Sequence, residues 1–171
     1  MILERYLMPD LMTDHFYNVQ PDMLLKAGIR GVICDIDNTL ATYEEPDPPE
    51  NVRLWCAEML AAGIRIAFVS NNDAARVNRF NKEFGFPAYP DAKKPFGDAL
   101  RRAMAKMGTD VTSTAMLGDQ LLTDAFAAKR EGMMAIIVPP IKDKRTLFFR
   151  IKRWLERPYV NLYRRRHSLL E

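Results

Sequence analysis

Residues 31–44 read GVICDIDNTLATYE, an apolar run that ends in Asp35 and Asp37, two apart, with Thr39 two further on. A short β-branched run reads as a buried strand, and such a strand has no structural use for two carboxylates at its end, because buried unpaired charge is costly. Further apolar runs follow at residues 65–70 (RIAFVS), 86–89 (FPAY), 114–117 (TAML) and 134–138 (MAIIV). Between the runs lie stretches of helical character, ENVRLWCAEMLAAG, DAARVNRFNKEFG, FGDALRRAMAKMG and LLTDAFAAKREG. Gly63, Gly85, Gly108 and Gly132 close them, and Asp73 opens the second. Alternation of this kind predicts an α/β, Rossmann-like, mostly parallel five-stranded sheet with helices on both faces. Ligands of such sheets bind beyond the carboxyl ends of the strands, which is where Asp35 and Asp37 stand.

At 171 residues the chain reads as one domain, 1–171, with no repeat and no convincing linker. No apolar run approaches the roughly 18 residues of a membrane span, and Glu4 and Arg5 interrupt the stretch where a signal peptide needs continuous apolar residues. The expectation is a cytoplasmic protein. Cys34 and Cys56 form no CxxC and have no nearby histidine pair, so both read as packing residues. His15 and His167 lie far from the motifs in sequence and receive no catalytic role. Charge is uneven: residues 142–171 hold ten Lys or Arg against three Asp or Glu, a net of +7, which leaves −4 for residues 1–141 of a chain whose total is +3. An acidic body carries a basic C-terminal extension, 142–171.

Polar residues gather after the predicted strands: Asp35 and Asp37, then Ser70, Asn71 and Asn72, then Lys93 and Lys94, then Asp119 and Asp124. Singly, each has an ordinary reading as a turn, a cap or a surface charge. Together they describe chemistry. Side chains at i and i+2 of a strand share a face, so Asp35 and Asp37 repel unless a cation lies between them, and Asp119 and Asp124 complete an all-oxygen site suited to Mg2+. A lysine and a hydroxyl beside that site suit a phosphoryl group, with one carboxylate attacking phosphorus and a second moving the proton of the leaving oxygen.

The set DIDNTL, FVSNN, KKP and GDQLLTD, in that order, resembles the four signature motifs of the haloacid dehalogenase superfamily of phosphatases, over residues 31 to about 138. The resemblance implies Asp35 as nucleophile, Asp37 as general acid and base, and Lys94 as the neutralising lysine, preferred to Lys93 because it precedes Pro95. It implies Thr39, Ser70 and Asn71 as phosphoryl contacts. Asp35, Asp37, Asp119 and Asp124 would serve the Mg2+, Asp37 through its backbone carbonyl, with the direct ligand among Asp119 and Asp124 left open. The short chain resembles the YqeG-like branch, related to the mitochondrial phosphatidylglycerophosphate phosphatase of fungi, which implies a lipid phosphate substrate.

Only 34 residues separate Asp35 from Ser70 and 23 separate Ser70 from Lys94, so neither gap holds a cap domain, and ATYEEPDPPE reads as a short flap. An open site admits a phosphate on something large. On a helix, Leu147, Phe148, Ile151, Trp154 and Leu155 share an apolar arc, while Arg145, Arg150, Lys152, Arg153 and Arg157 lie opposite, and Pro158 is expected to end the helix. Phe149 projects into the cationic side. This pattern suits an anionic membrane surface, peripheral at the inner face; RNA contacts or docking on the domain are the other readings. The alternative functions are a nucleic-acid-end or phosphoprotein phosphatase, and a non-enzymatic scaffold that binds RNA or ribosomes.

Overall fold

Six strands, all parallel, form the sheet in the computed structural model, which describes residues 2–142 and 146–168. They are β1 (Leu11–Met12), β2 (Gly31–Cys34), β3 (Arg65–Val69), β4 (Ala88–Tyr89), β5 (Thr114–Gly118) and β6 (Met134–Ile137), in the spatial order β1, β6, β5, β2, β3, β4. The sequence predicts five. The sixth, β1, is two residues long and too short to show alternation, and is defined by its partner: Asp10 N donates to Ala135 O and Thr13 N to Ile137 O, in line with β6. Its outer N–H, that of Met12, donates to Tyr163 Oη, which covers the sheet edge.

Alternation along the strands divides the core in two. Val32 and Cys34 of β2, Ile66 and Phe68 of β3, and Leu117 of β5 point to one face, where Phe16, Trp55, Met59 and Phe80 meet them. Ile33, Ala67, Val69 and Met116 point to the other, against Leu7, Leu100, Met104 and Ala128. Helices α1 (Ile2–Leu7), α2 (Pro21–Lys26), α3 (Glu50–Ala61), α4 (Ala74–Asn81), α5 (Asp98–Met107) and α6 (Phe126–Glu131) accordingly cover both faces, α2, α3 and α4 on the first and α1, α5 and α6 on the second. Cys34 and Cys56 are buried free thiols.

Two helical predictions change. The stretch LLTDAFAAKREG is not one helix: Leu121–Ala125 forms a π-helical turn and α6 follows it. Such turns occur often at functional sites, and this one carries Asp124. Pro158 does not end the last helix, α7, which runs Leu147–Ser168. An internal proline forfeits a backbone hydrogen bond, but both halves of α7 are held against the body, Arg153 and Glu156 on one side of Pro158 and Tyr159, Val160 and Tyr163 on the other. Arg145 and the side chain of Phe148 lie outside the described residues.

Candidate active site

From β2 the chain runs through β3 and β4 on one side and then crosses to β5 and β6 on the other, so the strand order reverses between β2 and β5. Their carboxyl ends open the crevice where ligands of such sheets bind. Cys34 pairs with Leu117, and Asp35 N still donates to Leu117 O at 2.9 Å, so Asp35 is the first side chain beyond the ladder and Asp119 stands across from it. Asn38, at φ 65°, turns the chain back on itself and lets Asn38 N bond Ala41 O. Asn tolerates this left-handed backbone better than most residues. Cap domains are absent among the described residues, and the loop 41–49 leads from this turn toward α3.

Lys94 is the hub. Its Nζ donates to Asp35 Oδ1 and Asp124 Oδ1, each at 2.7 Å, and to Val69 O at 2.9 Å, while Lys93 is exposed. Asn71 holds the lysine by its backbone, accepting from Lys94 N at 2.8 Å and donating to Lys94 O at 3.3 Å. Asp124 Oδ2 accepts from the N–H groups of Asp119 and Gln120, both at 3.1 Å, which folds its carboxylate back over Gly118. A Cβ at Gly118 would stand 2.3 Å from that carboxylate, so glycine alone fits.

Asp35, Asp119 and Asp124 are buried and offer one oxygen each within 4.8 Å of one another. This is an all-oxygen donor set of the kind hard divalent cations take, so the residues present fit Mg2+. The Asp37 carboxylate stands outside this set: it accepts from Asn72 Nδ2 at 2.9 Å and from Arg76 Nε at 3.0 Å. Thr39 Oγ1 lies 3.2 Å from Asp35 Oδ2 and 3.4 Å from Asp119 Oδ1, beneath the carboxylates. Ser70, also buried, accepts from Asn72 N at 3.0 Å. These groups surround an open pocket of about 410 Å³ lined by Asp35, Asp37, Tyr43, Ser70, Asn71, Asn72, Lys94, Gln120, Thr123 and Asp124. A larger pocket of about 530 Å³, bounded by Phe16, Leu40 and Pro140, has Thr39 in its wall and none of the four aspartates.

The electrostatics follow from crowding. Burial pushes the Asp35 carboxyl up to about 7, Lys94 opposing and Asp124 adding to the rise. Burial and the neighbouring Asp124 and Asp35 carry Asp119 up to about 8, against the pull of Arg153. Lys94 stays charged: burial works against it, but Asp124 and Asp35 outweigh that and hold the ammonium above its usual value. Burial, with Asp37 and Asp35 adding, also raises the Tyr43 hydroxyl well above its ordinary value. Raised in this way, Asp35 and Asp119 retain protons or take up a metal.

The structure brings together the residues predicted from the motifs, with Thr39 and Asp119 behind the pocket rather than in its wall. It adds Arg76, one turn into α4, and Arg153 with Glu156 on α7. Arg76 follows FVSNN and Asp73 caps its helix, a spacing that puts it near the motif; nothing in the local sequence points Arg153 toward Asp119.

Fold, crevice and carboxylate set define a Rossmann-like α/β protein with its acid groups where the strand order reverses. The chain belongs to the haloacid dehalogenase-like hydrolase family, whose model matches residues 16–132, and it is a phosphatase of that superfamily. It is 32% identical over 165 residues to the probable phosphatase YqeG of Bacillus subtilis (strain 168), covering 96% of each chain. It is 27% identical over 145 residues to the chloroplastic phosphatidylglycerophosphate phosphatase 1 of Chlamydomonas reinhardtii, covering 78% of this chain and 53% of that protein. An uncharacterized protein from Listeria monocytogenes serotype 4b shares the fold with a TM-score of 0.55 at 20% identity, over 69% of this chain and 85% of that one. So does the cobalt-bound deoxy-D-mannose-octulosonate 8-phosphate phosphatase of Haemophilus influenzae, with a TM-score of 0.53 at 17% identity over 80% of this chain and 90% of that one.

Proposed function

We propose that this phosphatase is Mg2+-dependent, works through an aspartyl-phosphate on Asp35, and acts on a phosphomonoester held on a membrane lipid, with phosphatidylglycerophosphate the leading substrate. Asp35, Asp119, Asp124 and the Asp37 carbonyl would hold the cation, which supplies charge neutralisation for the carboxylates and the bound phosphoryl group.

A carboxylate oxygen of Asp35 attacks phosphorus, the ester P–O bond breaks, and Asp37 gives its proton to the leaving alcohol oxygen. Water then attacks the acyl phosphate while Asp37 takes its proton, and inorganic phosphate leaves with Asp35 restored. Lys94 balances negative charge on the transferring group, and the Ser70 hydroxyl and Asn71 contact its oxygens. Thr39 supports Asp35 and Asp119 from behind, its hydroxyl 3.2 and 3.4 Å from their carboxylates.

One observation carries the lipid assignment. Before Pro158, helix α7 turns large apolar residues away from the protein: Leu147 and Trp154 are 71% and 70% exposed, and Ile151 and Leu155 are also open, whereas Tyr159, Val160 and Tyr163 beyond it pack inward. Its inward side bears Lys152, Arg153, Glu156 and Tyr163. A helix docked merely to complete a core does the reverse. Arg150, Arg157, Arg164 and Arg165 add exposed positive charge, and each near an anionic leaflet contributes roughly 1 kcal/mol. None of the described helices is long and apolar enough to cross a membrane, so contact would be peripheral.

The test is release of inorganic phosphate from phosphatidylglycerophosphate in anionic vesicles, with Mg2+ or with chelator, for wild type and Asp35→Asn. Release that needs both Mg2+ and Asp35 is the expected result. Absence of release from folded protein that does hydrolyse a phosphorylated oligonucleotide or phosphoprotein would overturn the lipid assignment and leave the chemistry in place.

A further inference from the structure

Asp119 is almost fully buried, and its Oδ2 accepts from Arg153 Nη2 at 2.6 Å. Arg153 Nη1 donates to the backbone oxygen of the same residue at 2.8 Å, so the planar guanidinium grips Asp119 at two points. One turn on, the buried Glu156 accepts from Leu122 N at 3.0 Å, at the start of the π-helical turn that carries Asp124, and from Arg153 at 3.1 Å. Two side chains of α7 thus fasten both ends of the segment 119–122. Among the described residues Arg153 is the cation paired with Asp119, whereas Asp35 and Asp124 share Lys94.

We infer that Arg153 is a positioning residue for the metal site: braced by Glu156, it holds Asp119 by Oδ2 and leaves Oδ1, the oxygen 3.4 Å from Thr39 Oγ1, to meet the cation. The inference rests on the Mg2+-dependent reading above. It makes α7 part of the site as well as a lipid-facing surface.

Two effects of removing Arg153 oppose each other. A positive charge leaves the neighbourhood of a cation, which favours metal binding; the buried carboxylate loses its orientation and its only ionic partner among the described residues, which opposes it. The grip at two points on one buried residue decides for orientation, since a side chain freed from both donors can turn away from Asp35 and Asp124.

Binding of Mn2+ alone to the full chain, followed by the electron paramagnetic resonance signal of free Mn2+, tests this without turnover. Arg153→Met is expected to weaken Mn2+ binding by about 10–100-fold, the usual effect of losing a group that orients a metal ligand, and Arg153→Lys to recover part of it. Circular dichroism checks that both variants fold. Unchanged or tighter binding by folded Arg153→Met would overturn the brace alone. Should that variant not fold, Arg153→Lys decides: weaker binding than wild type supports the brace, and wild-type binding overturns it. Failure of the wild type itself to bind Mn2+ would overturn the metal-site reading and the brace with it.

Discussion

Arg76 Nε donates to Asp37 Oδ1 at 3.0 Å, while its two Nη atoms donate to the carbonyls of Thr42, Glu45 and Pro46. The proposed proton carrier and the loop above it are therefore fastened to one guanidinium, which also lies over the Phe80 ring. Arg76→Met should slow hydrolysis of an alkyl phosphate by about 10–100-fold, a part of what general acid catalysis supplies, because Asn72 still holds the other oxygen of Asp37. With p-nitrophenyl phosphate, whose leaving group needs little protonation, the loss should be smaller. Equal losses on both substrates would argue against Asp37 as the acid. Stability should fall by about 0.5–1.5 kcal/mol, since water can replace the donor at the exposed Glu45 and Pro46 carbonyls.

Asp35→Asn should abolish turnover, by on the order of a thousandfold or more, as expected when a nucleophile is removed. The fold should persist, because Lys94 keeps Asp124 and the Val69 carbonyl as partners. Acid-quenched protein exposed to labelled phosphomonoester should carry label in the wild type and none in the variant. Label on the variant would place the nucleophile elsewhere.

The metal-free protein should lose stability as pH rises. Asp35 and Asp119 sit at about 7 and about 8, above the ordinary 3.8, so the folded state holds protons that the unfolded chain has released. A raised carboxyl contributes stability that is complete below the unfolded value and is lost as pH climbs through the folded one. In chelator, the melting temperature should therefore decline between about pH 4 and pH 8, and Mg2+ should restore it most strongly at the upper end. A melting temperature independent of pH in chelator would mean that these carboxylates are already ionised.

Much of this was legible in the sequence because short-range chemistry wrote it there. A strand running into DIDNTL, the serine within FVSNN and a lysine before Pro95 needed only the parallel sheet to line one pocket, and they do. What the sequence hid depends on distance or on a broken local rule. Strand β1 has two residues and no pattern of its own. The helix across Pro158 defies local propensity because contacts on both sides of the proline hold it. Arg153 reads as one more charge of a basic face, and only the docking of α7, 34 residues along the chain, gives it Asp119.

Gly118→Ala should damage the site from behind. The new methyl would stand 2.3 Å from the Asp124 carboxylate, which two backbone N–H groups and Lys94 hold in place, so it can yield only by breaking those bonds. Overpacking of this kind costs about 1–3 kcal/mol, and Lys94 would lose one of its two carboxylates. Activity should fall far more than a surface Gly→Ala change allows, with Mn2+ binding weakened in parallel. A variant with wild-type metal binding and stability would show that Asp124 moves freely and is no fixed part of the site.

Trp154→Ser and Leu147→Ser separate anchoring from chemistry. Both side chains are open to solvent on the outward side of α7, so their loss should change the melting temperature by less than about 0.5 kcal/mol's worth, the range of ordinary surface substitutions. Burying a large apolar side chain in a bilayer interface is worth roughly 1.5–3 kcal/mol, so each change should weaken sedimentation with anionic vesicles by about tenfold or more. Activity on a soluble phosphomonoester should stay at the wild-type level, because Arg153 and Glu156 reach the site from the opposite side of the helix. Raising salt should release the wild type from vesicles in part, through the arginines, and leave the apolar contribution behind. Vesicle binding that survives both substitutions and vanishes with salt alone would make the surface an electrostatic one, and would turn the substrate search toward phosphorylated nucleic acid.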